Sequence, residues 1–159
     1  MIEYEYSFKV SDIKPFIKFC ESNNYQKEES ITQTRVLYKN GSGILARITT
    51  NEKNNKVLQY LNFKEENESD KVLKESKETS MLEINNENEE FIKSMLEIFD
   101  FYKSKELKRI RYIYKNDKVK FEIDYYIKPE MQVIAIEGKK DEVDMIYKEL
   151  ESLYKEYKI

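Results

Sequence analysis

Hydrophobic and polar residues alternate with a period of two at the start of the chain. Over residues 2–10 one face carries Tyr4, Tyr6, Phe8 and Val10, and the other carries Glu3, Glu5, Ser7 and Lys9. Successive side chains of a β-strand point to opposite faces, so this pattern predicts a strand with one apolar and one largely charged face.

Further patterns predict three helices and seven more strands. Apolar residues recur at helical spacing from Ser11 or Asp12 to Asn23–Asn24, from Asn86 or Asn88 onward, and over 140–157. The second helix is expected to bury one stripe, made of Phe91, Ile92, Met95, Leu96 and Phe99. Strands are expected at 31–38, 44–50, 57–64, 71–84, 107–115, 118–127 and 131–138. This order lacks βαβ alternation and therefore indicates a mostly antiparallel α+β fold, predicted to be one domain over 1–159.

Charges of both signs share one strand face. In the segment 118–127, Lys120, Glu122 and Asp124 alternate with apolar residues. A solvated sheet face would explain this pattern. Alternatively, eight strands could close a barrel whose apolar face lies outward beneath the helices and whose charges point into the lumen. Only a charged ligand would make that interior favourable, because unpaired buried charges are strongly destabilising.

The amino-acid composition limits the kinds of catalytic and binding site that the chain can form. The 28 basic and 31 acidic residues give a net charge of −3, which argues against a globally basic nucleic-acid binder. The chain has no His and one Cys, Cys20, which excludes His-dependent nucleophilic sites, His-ligated zinc and an internal disulfide. No apolar run approaches a membrane span, and the charged N-terminus does not fit a signal peptide, so a cytoplasmic protein is expected. The remaining carboxylates, Arg and Lys suit hard cations and phosphates.

Several short motifs follow one another along the chain. They are EYEYSFKV at 3–10, ILAR at 44–47, LNFK at 61–64, RIRYIY at 109–114, VKFEID at 119–124 and AIEG at 135–138. This ordered set resembles the CYTH superfamily, the triphosphate tunnel metalloenzymes, over nearly the whole chain. The resemblance implies an eight-stranded antiparallel β-barrel, or tunnel, with helices packed outside it.

The resemblance also implies a division of roles among the charged residues. The candidate ligands of Mg²⁺ or Mn²⁺ are Glu3, Glu5 and Glu137, with Asp124 and Glu122 as further candidates. The candidate phosphate-binding residues are Arg47, Lys64, Arg109 and Arg111. Two more candidates come from strand position. Arg35 would join the set if its strand turns it toward the lumen, and Lys74 has, with Glu78, the spacing of a lumen-facing pair.

Leu45 stands where the family pattern has a second arginine, and two further departures bear on activity. Ser7 stands where a lysine is usual, and Ala135 stands where a glutamate is usual. The expected function is a metal-dependent phosphohydrolase acting on inorganic triphosphate, polyphosphate or a nucleoside triphosphate, with a metal-bound water as nucleophile. The alternatives are a binding protein that has lost turnover and a class IV-type adenylyl cyclase, so whether the chain is an enzyme stays open. The expected partner is the small-molecule phosphate, not a membrane or nucleic acid, and a homodimer is also left open.

Overall fold

One antiparallel sheet with four helices forms the part of the chain that the structure describes. The structure is a computed structural model that describes the backbone of residues 2–66 and 73–159 and the side chains of residues 4–66 and 75–159. Its strands are β1 (Ile2–Val10), β2 (Gln26–Lys27), β3 (Ile31–Lys39), β4 (Ile44–Lys53), β5 (Lys56–Glu65), β6 (Leu73–Lys77), β7 (Leu82–Glu83), β8 (Tyr102–Lys115), β9 (Val119–Lys128) and β10 (Glu130–Gly138). Its helices are α1 (Lys14–Ser22), α2 (Glu89–Ile98), α3 (Lys140–Glu149) and α4 (Glu151–Tyr157).

The sheet order is β6-β1-β10-β9-β8-β3-β4-β5-β7, and β2 pairs with β8. The predicted antiparallel α+β class is therefore confirmed. The predicted closed barrel of eight strands is not confirmed. The described sheet has ten strands, and its continuous ladder ends at β6 and β7. In the described residues, no ladder joins β5 to β6; an isolated bridge pairs Lys64 of β5 with Glu78, the residue after β6.

The predicted strand over 71–84 was wrong in extent, because the described part splits into β6 and β7. Thr79 gives the physical reason. Its backbone N–H donates to the Phe63 carbonyl at 2.9 Å, while its hydroxyl accepts the Phe63 N–H at 2.9 Å. A side chain thus replaces a backbone carbonyl in the ladder, as Thr and Ser often do, and regular pairing stops there.

Other boundaries also differ from the pattern. Strand β8 begins at Tyr102 because its partner β3 continues to pair with it as far as Lys39. The predicted helix over 140–157 is two helices that meet at Leu150, with helical hydrogen bonds on both sides of this residue. The two-residue strand β2 is too short for any periodicity to reveal. No helix within the described ranges combines the length and apolar character needed to cross a membrane.

The helices cover the apolar face of the sheet in two clusters. The larger cluster joins Phe8 and Phe121 of the sheet to residues of α1 and α3, such as Phe16 and Val143. The apolar faces predicted for residues 2–10 and 118–127 are part of it.

The smaller cluster places Ile92 and Leu96 of α2 against Ala46 and Leu61 of the sheet. The stripe predicted for α2 was too wide, because Phe91 and Phe99 are 69% and 60% exposed. Only the Ile92 and Leu96 side of the helix is fully buried. With both clusters on one face of the sheet, the opposite, polar face is left to form a site.

Candidate functional site

The polar face of the sheet lines a cavity of about 490 Å³, a size typical of small-ligand pockets. Its charged lining residues are Glu5, Arg35, Arg47, Lys64, Glu78, Arg109, Arg111, Lys120, Glu122, Asp124 and Glu137. They include every sequence-predicted site residue whose side chain the structure describes. The side chains of the other two, Glu3 and Lys74, lie outside the described part, although backbone pairing places Glu3 opposite Ser76 and Lys74 opposite Glu5.

Strand register explains why residues distant in sequence meet here. In the hairpin of β8 and β9, Arg111 lies opposite Asp124. Farther along the sheet, Glu137 of β10 lies between Lys120 of β9 and Glu5 of β1. Because side chains alternate along each strand, these pairs all point to the cavity side.

Arg111 is held by two carboxylates. Its Nε and Nη2 donate to the two oxygens of Asp124 at 2.8 and 2.9 Å, and its Nη1 donates to Glu122 at 2.6 Å. Burial alone would lower the pKa of Arg111, but Glu122 and Asp124 raise it above its usual value. The guanidinium is therefore locked in its charged form, and both Asp124 oxygens are already engaged.

Arg109 is held mainly by neutral groups. Its Nε donates to the Gln33 side-chain oxygen at 2.8 Å, and its Nη1 donates to the Tyr126 hydroxyl. The Tyr126 ring lies 5.2 Å from the guanidinium carbon. The nearest carboxylate contact is longer, 3.5 Å from Nη1 to Asp124. These contacts fix the side chain in place while leaving more of its charge uncompensated than for Arg111.

Arg47 and Lys64 share one carboxylate. Arg47 Nε donates to the Asn62 side-chain oxygen at 3.0 Å, and its Nη2 pairs with Glu78. Asn62 also donates to Glu78 at 2.9 Å, and Lys64 Nζ lies 3.9 Å from the second Glu78 oxygen. This group sits where β5 and the residue after β6 form their bridge.

Among the cavity cations whose side chains the structure describes, Arg35 is the least compensated. Its Nε donates to the Thr49 hydroxyl at 3.0 Å, and no carboxylate in the described residues lies within ion-pair distance. Burial and the neighbouring guanidiniums, Arg109 first, lower the pKa of Arg35 well below its usual value. The direction of this shift means that the cavity disfavours the charge on Arg35 unless an anion is bound.

Three of the cavity carboxylates, those of Glu5, Glu137 and Glu122, lie on the neighbouring strands β1, β10 and β9 and form the acidic end of the cavity. Glu137 and Glu122 share a hydrogen bond, and Lys120 Nζ lies 3.6 Å from Glu122. Burial, then the charges of Glu122 and Glu5, raise the pKa of Glu137. Burial would also raise the pKa of Glu122, but the Arg111 charge lowers it below the usual range. The raised pKa of Glu137 and the lowered pKa of Glu122 favour one proton shared between the two carboxylates, with Glu137 as the donor.

The donor chemistry of this end fits Mg²⁺ or Mn²⁺, which prefer carboxylate oxygens. Within the described residues no three acidic side chains are arranged to hold a metal ion, and the side chain of Glu3 is outside that set. A divalent cation at Glu122 and Glu137 would release the proton that they share. These two residues and Glu5 thus offer the donor atoms that such an ion prefers, without being arranged as a set of three ligands.

The two departures from the family pattern that bear on activity, Ser7 and Ala135, lie side by side in the cavity wall. Ser7 of β1 is opposite Ala135 of β10, and Ala135 is opposite Glu122 of β9. All three line the cavity. Both changes therefore remove charge from the part of the wall that adjoins the acidic end.

A second recess of about 550 Å³ adjoins the acidic end, and Lys120 and Glu137 line both spaces. Its remaining lysines are Lys115, Lys118, Lys139 and Lys140. Gly138 lies in its wall, where a Cβ atom would be 2.8 Å from the Lys118 carbonyl oxygen. Only glycine permits this close approach of β10 to the β8–β9 turn.

The sequence analysis missed three residues that position the arginines of the cavity. Gln33 and Tyr126 hold Arg109, and Asn62 holds Arg47. Each lies two residues from a predicted site residue on its own strand, so the period-two pattern contained the signal.

No protein-family model matches the sequence, and no curated protein matches it. Solved structures do match. The PH1012 protein from Pyrococcus horikoshii OT3 has a TM-score of 0.71 at 21% identity, over 94% of this chain and 88% of that chain. HpAC1 from Hippeastrum, described as a candidate adenylyl cyclase with a dominant triphosphatase activity, has a TM-score of 0.69 at 14% identity, over 98% and 90%. A candidate adenylate cyclase from Vibrio parahaemolyticus has a TM-score of 0.61 at 13% identity, over 98% and 87%.

Similarity at these identities concerns the fold. These neighbours include CYTH-type tunnel proteins, and the alignments extend over nearly the whole of this chain. The resemblance to the CYTH superfamily that the ordered motifs indicated is thus confirmed as a shared fold.

Proposed function

We propose that this protein is a metal-dependent phosphohydrolase that acts on inorganic triphosphate or short linear polyphosphate. The observation that carries the proposal is one cavity with a cationic end, at Arg35 and Arg47, and a carboxylate end, at Glu122 and Glu137. A chain of phosphoryl groups with a divalent cation has the complementary distribution of charge.

The cationic end would bind the phosphates. Arg35 has one neutral side-chain partner and a destabilised charge, so an anion beside it would be favourable. Arg109 and Arg47 are fixed by side-chain hydrogen bonds, which reduces the entropy lost when a phosphate binds. The bridge between Lys64 and Glu78 supports a further part of the proposal, that the sheet wraps the substrate as a tunnel.

The carboxylate end would hold the metal, with Glu5, Glu122 and Glu137 as ligands and Glu3 as a further candidate. When bound, the ion would neutralise phosphoryl oxygens and lower the pKa of water. The arginines would stabilise the negative charge that develops on the transferring and leaving phosphates, and the cavity wall would align the chain for in-line attack.

The surroundings of the cavity favour a linear phosphate chain over a nucleotide. Tyr126 is the one aromatic residue among the described cavity residues, and Arg109 already occupies its face. The lysine-lined recess beside the acidic end could receive further phosphates. The dominant triphosphatase activity ascribed to HpAC1, which shares the fold, also supports hydrolysis over cyclisation.

A binding protein without turnover is the second candidate, and Ser7 and Ala135 favour it. Both lie in the wall beside the acidic end, where the family pattern has charged residues. Loss of one charge-assisted contact there would cost about 1.5–3 kcal/mol, or about 10- to 100-fold.

Phosphate release tests the proposal directly. We expect release from inorganic triphosphate and short polyphosphate with Mg²⁺ or Mn²⁺, none with a chelator, and less from ATP. Arg35→Gln should reduce the rate at least about tenfold. Lys108→Gln, which removes an exposed cation next to Arg109 in sequence, should not change it. Calorimetric binding of triphosphate without release would select the binding protein, and absence of both would reject both candidates.

A further inference from the structure

The contacts of Glu78 resemble those expected for a bound phosphate. One carboxylate oxygen accepts from Arg47 and from Asn62, and the other lies 3.9 Å from Lys64. Carboxylates and phosphoryl groups are recognised by the same donors, because both offer several anionic oxygens to a guanidinium fork. Two of these donors, Arg47 and Lys64, line the cavity together with Glu78.

We propose that Glu78 is an internal competitor for a substrate phosphate: its carboxylate occupies the anion position at Arg47 in the free protein and leaves when substrate binds. This inference rests on the proposed function, since it assumes that a phosphate chain binds in this cavity. It adds a residue that sets the affinity and that the family motifs quoted for the phosphate site do not contain.

The position of Glu78 suits a carboxylate that can move. It follows the last residue of β6, and its backbone joins β5 through an isolated bridge rather than a ladder. Its side chain is 15% exposed, compared with 3% for Asp124, which holds Arg111 with both oxygens. A rotation of the Glu78 side chain could expose the carboxylate to solvent, and a bound phosphate would then replace it as the partner of the buried Arg47.

A purely structural role predicts the opposite effect on binding. If Glu78 only orients Arg47, its removal would leave the arginine poorly positioned and would weaken phosphate binding. If Glu78 competes with substrate, its removal would free the cation and strengthen binding. The sign of the change in affinity therefore separates the two roles.

The experiment is calorimetric titration of the full chain with inorganic triphosphate in the presence of a chelator. We expect Glu78→Gln to bind about tenfold more tightly than the parent, which corresponds to about 1.4 kcal/mol. Glu75→Gln is the matched control, because Glu75 is an exposed carboxylate on the opposite face of β6. It should change the affinity less than about twofold, since removal of a distant surface charge is mostly screened.

Two further variants make the test specific. Glu78→Asp keeps the charge but draws it back by one methylene, and it should tighten binding by a smaller factor. In an Arg47→Gln background, Glu78→Gln should no longer tighten binding, because the freed partner is absent. If Glu78→Gln fails to fold, Glu78→Asp carries the test alone.

The outcomes separate the inference from the proposed function. Unchanged or weaker binding in both Glu78 variants, with an intact response of the parent to triphosphate, overturns the inference and leaves the proposed function standing. Tightening that persists with Arg47→Gln also overturns it. No binding of triphosphate by the parent or by any variant, with or without Mn²⁺, rejects the proposed function and the inference together.

Discussion

Replacement of Arg35 should stabilise the free protein and at the same time weaken its binding of triphosphate. The substitution is Arg35→Gln, which removes the charge and the hydrogen bond from Nε to Thr49 but keeps a polar side chain. In the free protein the Arg35 charge is opposed by burial and by the guanidiniums of Arg109 and Arg47. Residues arranged for binding often lower stability in this way, and their replacement commonly increases it.

The size of the effect follows from two opposing terms. Two like charges 4 Å apart repel by about 4 kcal/mol at an effective dielectric constant of about 20, and distance and water in the cavity reduce this value. Loss of the 3.0 Å hydrogen bond to Thr49 costs about 1 kcal/mol. We expect a net gain of about 1–2 kcal/mol, which in a chain of 159 residues raises the melting temperature by about 2–8 °C.

The assay is thermal unfolding with and without inorganic triphosphate. The parent should gain a large increase in melting temperature from the ligand, and Arg35→Gln should gain little, since about 10- to 100-fold of affinity is lost. Lys108→Gln controls for net charge and should behave like the parent. The reasoning fails if Arg35→Gln melts below the parent without ligand, or if triphosphate stabilises it as strongly as the parent.

Three other predictions follow from the same geometry. The raised pKa of Glu137 means that the unfolded chain loses this proton at lower pH than the folded chain, so the stability that it contributes is lost as pH rises above the ordinary carboxyl range. Glu137→Gln should therefore gain stability relative to the parent, more at pH 8 than at pH 5, in urea unfolding. Ser7→Lys should increase triphosphate hydrolysis with Mn²⁺ at least about tenfold, and addition of Ala135→Glu should increase it further; unchanged rates in folded variants would remove position 7 from the site. Leu96→Ala should cost about 2–5 kcal/mol in the same urea assay, whereas Phe91→Ser, on the exposed side of the helix, should cost less than about 0.5 kcal/mol.

Strand periodicity predicted which residues face the cavity. Alternation in residues 2–10 and 118–127 assigned Glu5, Glu122 and Asp124 to one face, and the structure places all three in the cavity wall. The hairpin between β8 and β9 could have gone further, because its short turn fixes the register that sets Arg111 opposite Asp124. The local sequence pattern is therefore sufficient to predict contacts between neighbouring strands of a hairpin.

Contacts between strands at opposite edges of the sheet could not be predicted from the sequence. Glu78 meets Arg47 because the residue after β6 reaches β5, which lies far from β6 along the sheet order. No turn or spacing encodes that meeting. The width of a helix stripe is similarly hidden: 3.6-residue spacing placed Phe91 beside Ile92, but only packing against the sheet decides which of them is buried.

The balance of charge within the cavity explains why net charge is a poor guide to its function. Every buried side-chain nitrogen or oxygen in the described residues has a hydrogen-bond partner, so the free protein is internally satisfied. The arginines of the cavity differ in the partners that satisfy their hydrogen bonds and charge. Arg111 is paired with two buried carboxylates, and breaking those pairs would be strongly destabilising. We therefore expect Arg111 to hold the cavity wall together and to lower the pKa of Glu122, rather than to bind phosphate. We propose that Arg47 has an exchangeable partner in Glu78, and within the described side chains Arg35 has a hydroxyl partner but no carboxylate in ion-pair distance. Among these cations, we expect a phosphate chain to reach Arg35 and Arg47 at lowest cost, and this difference in partners, rather than the number of cations, would direct an anion to that end of the cavity.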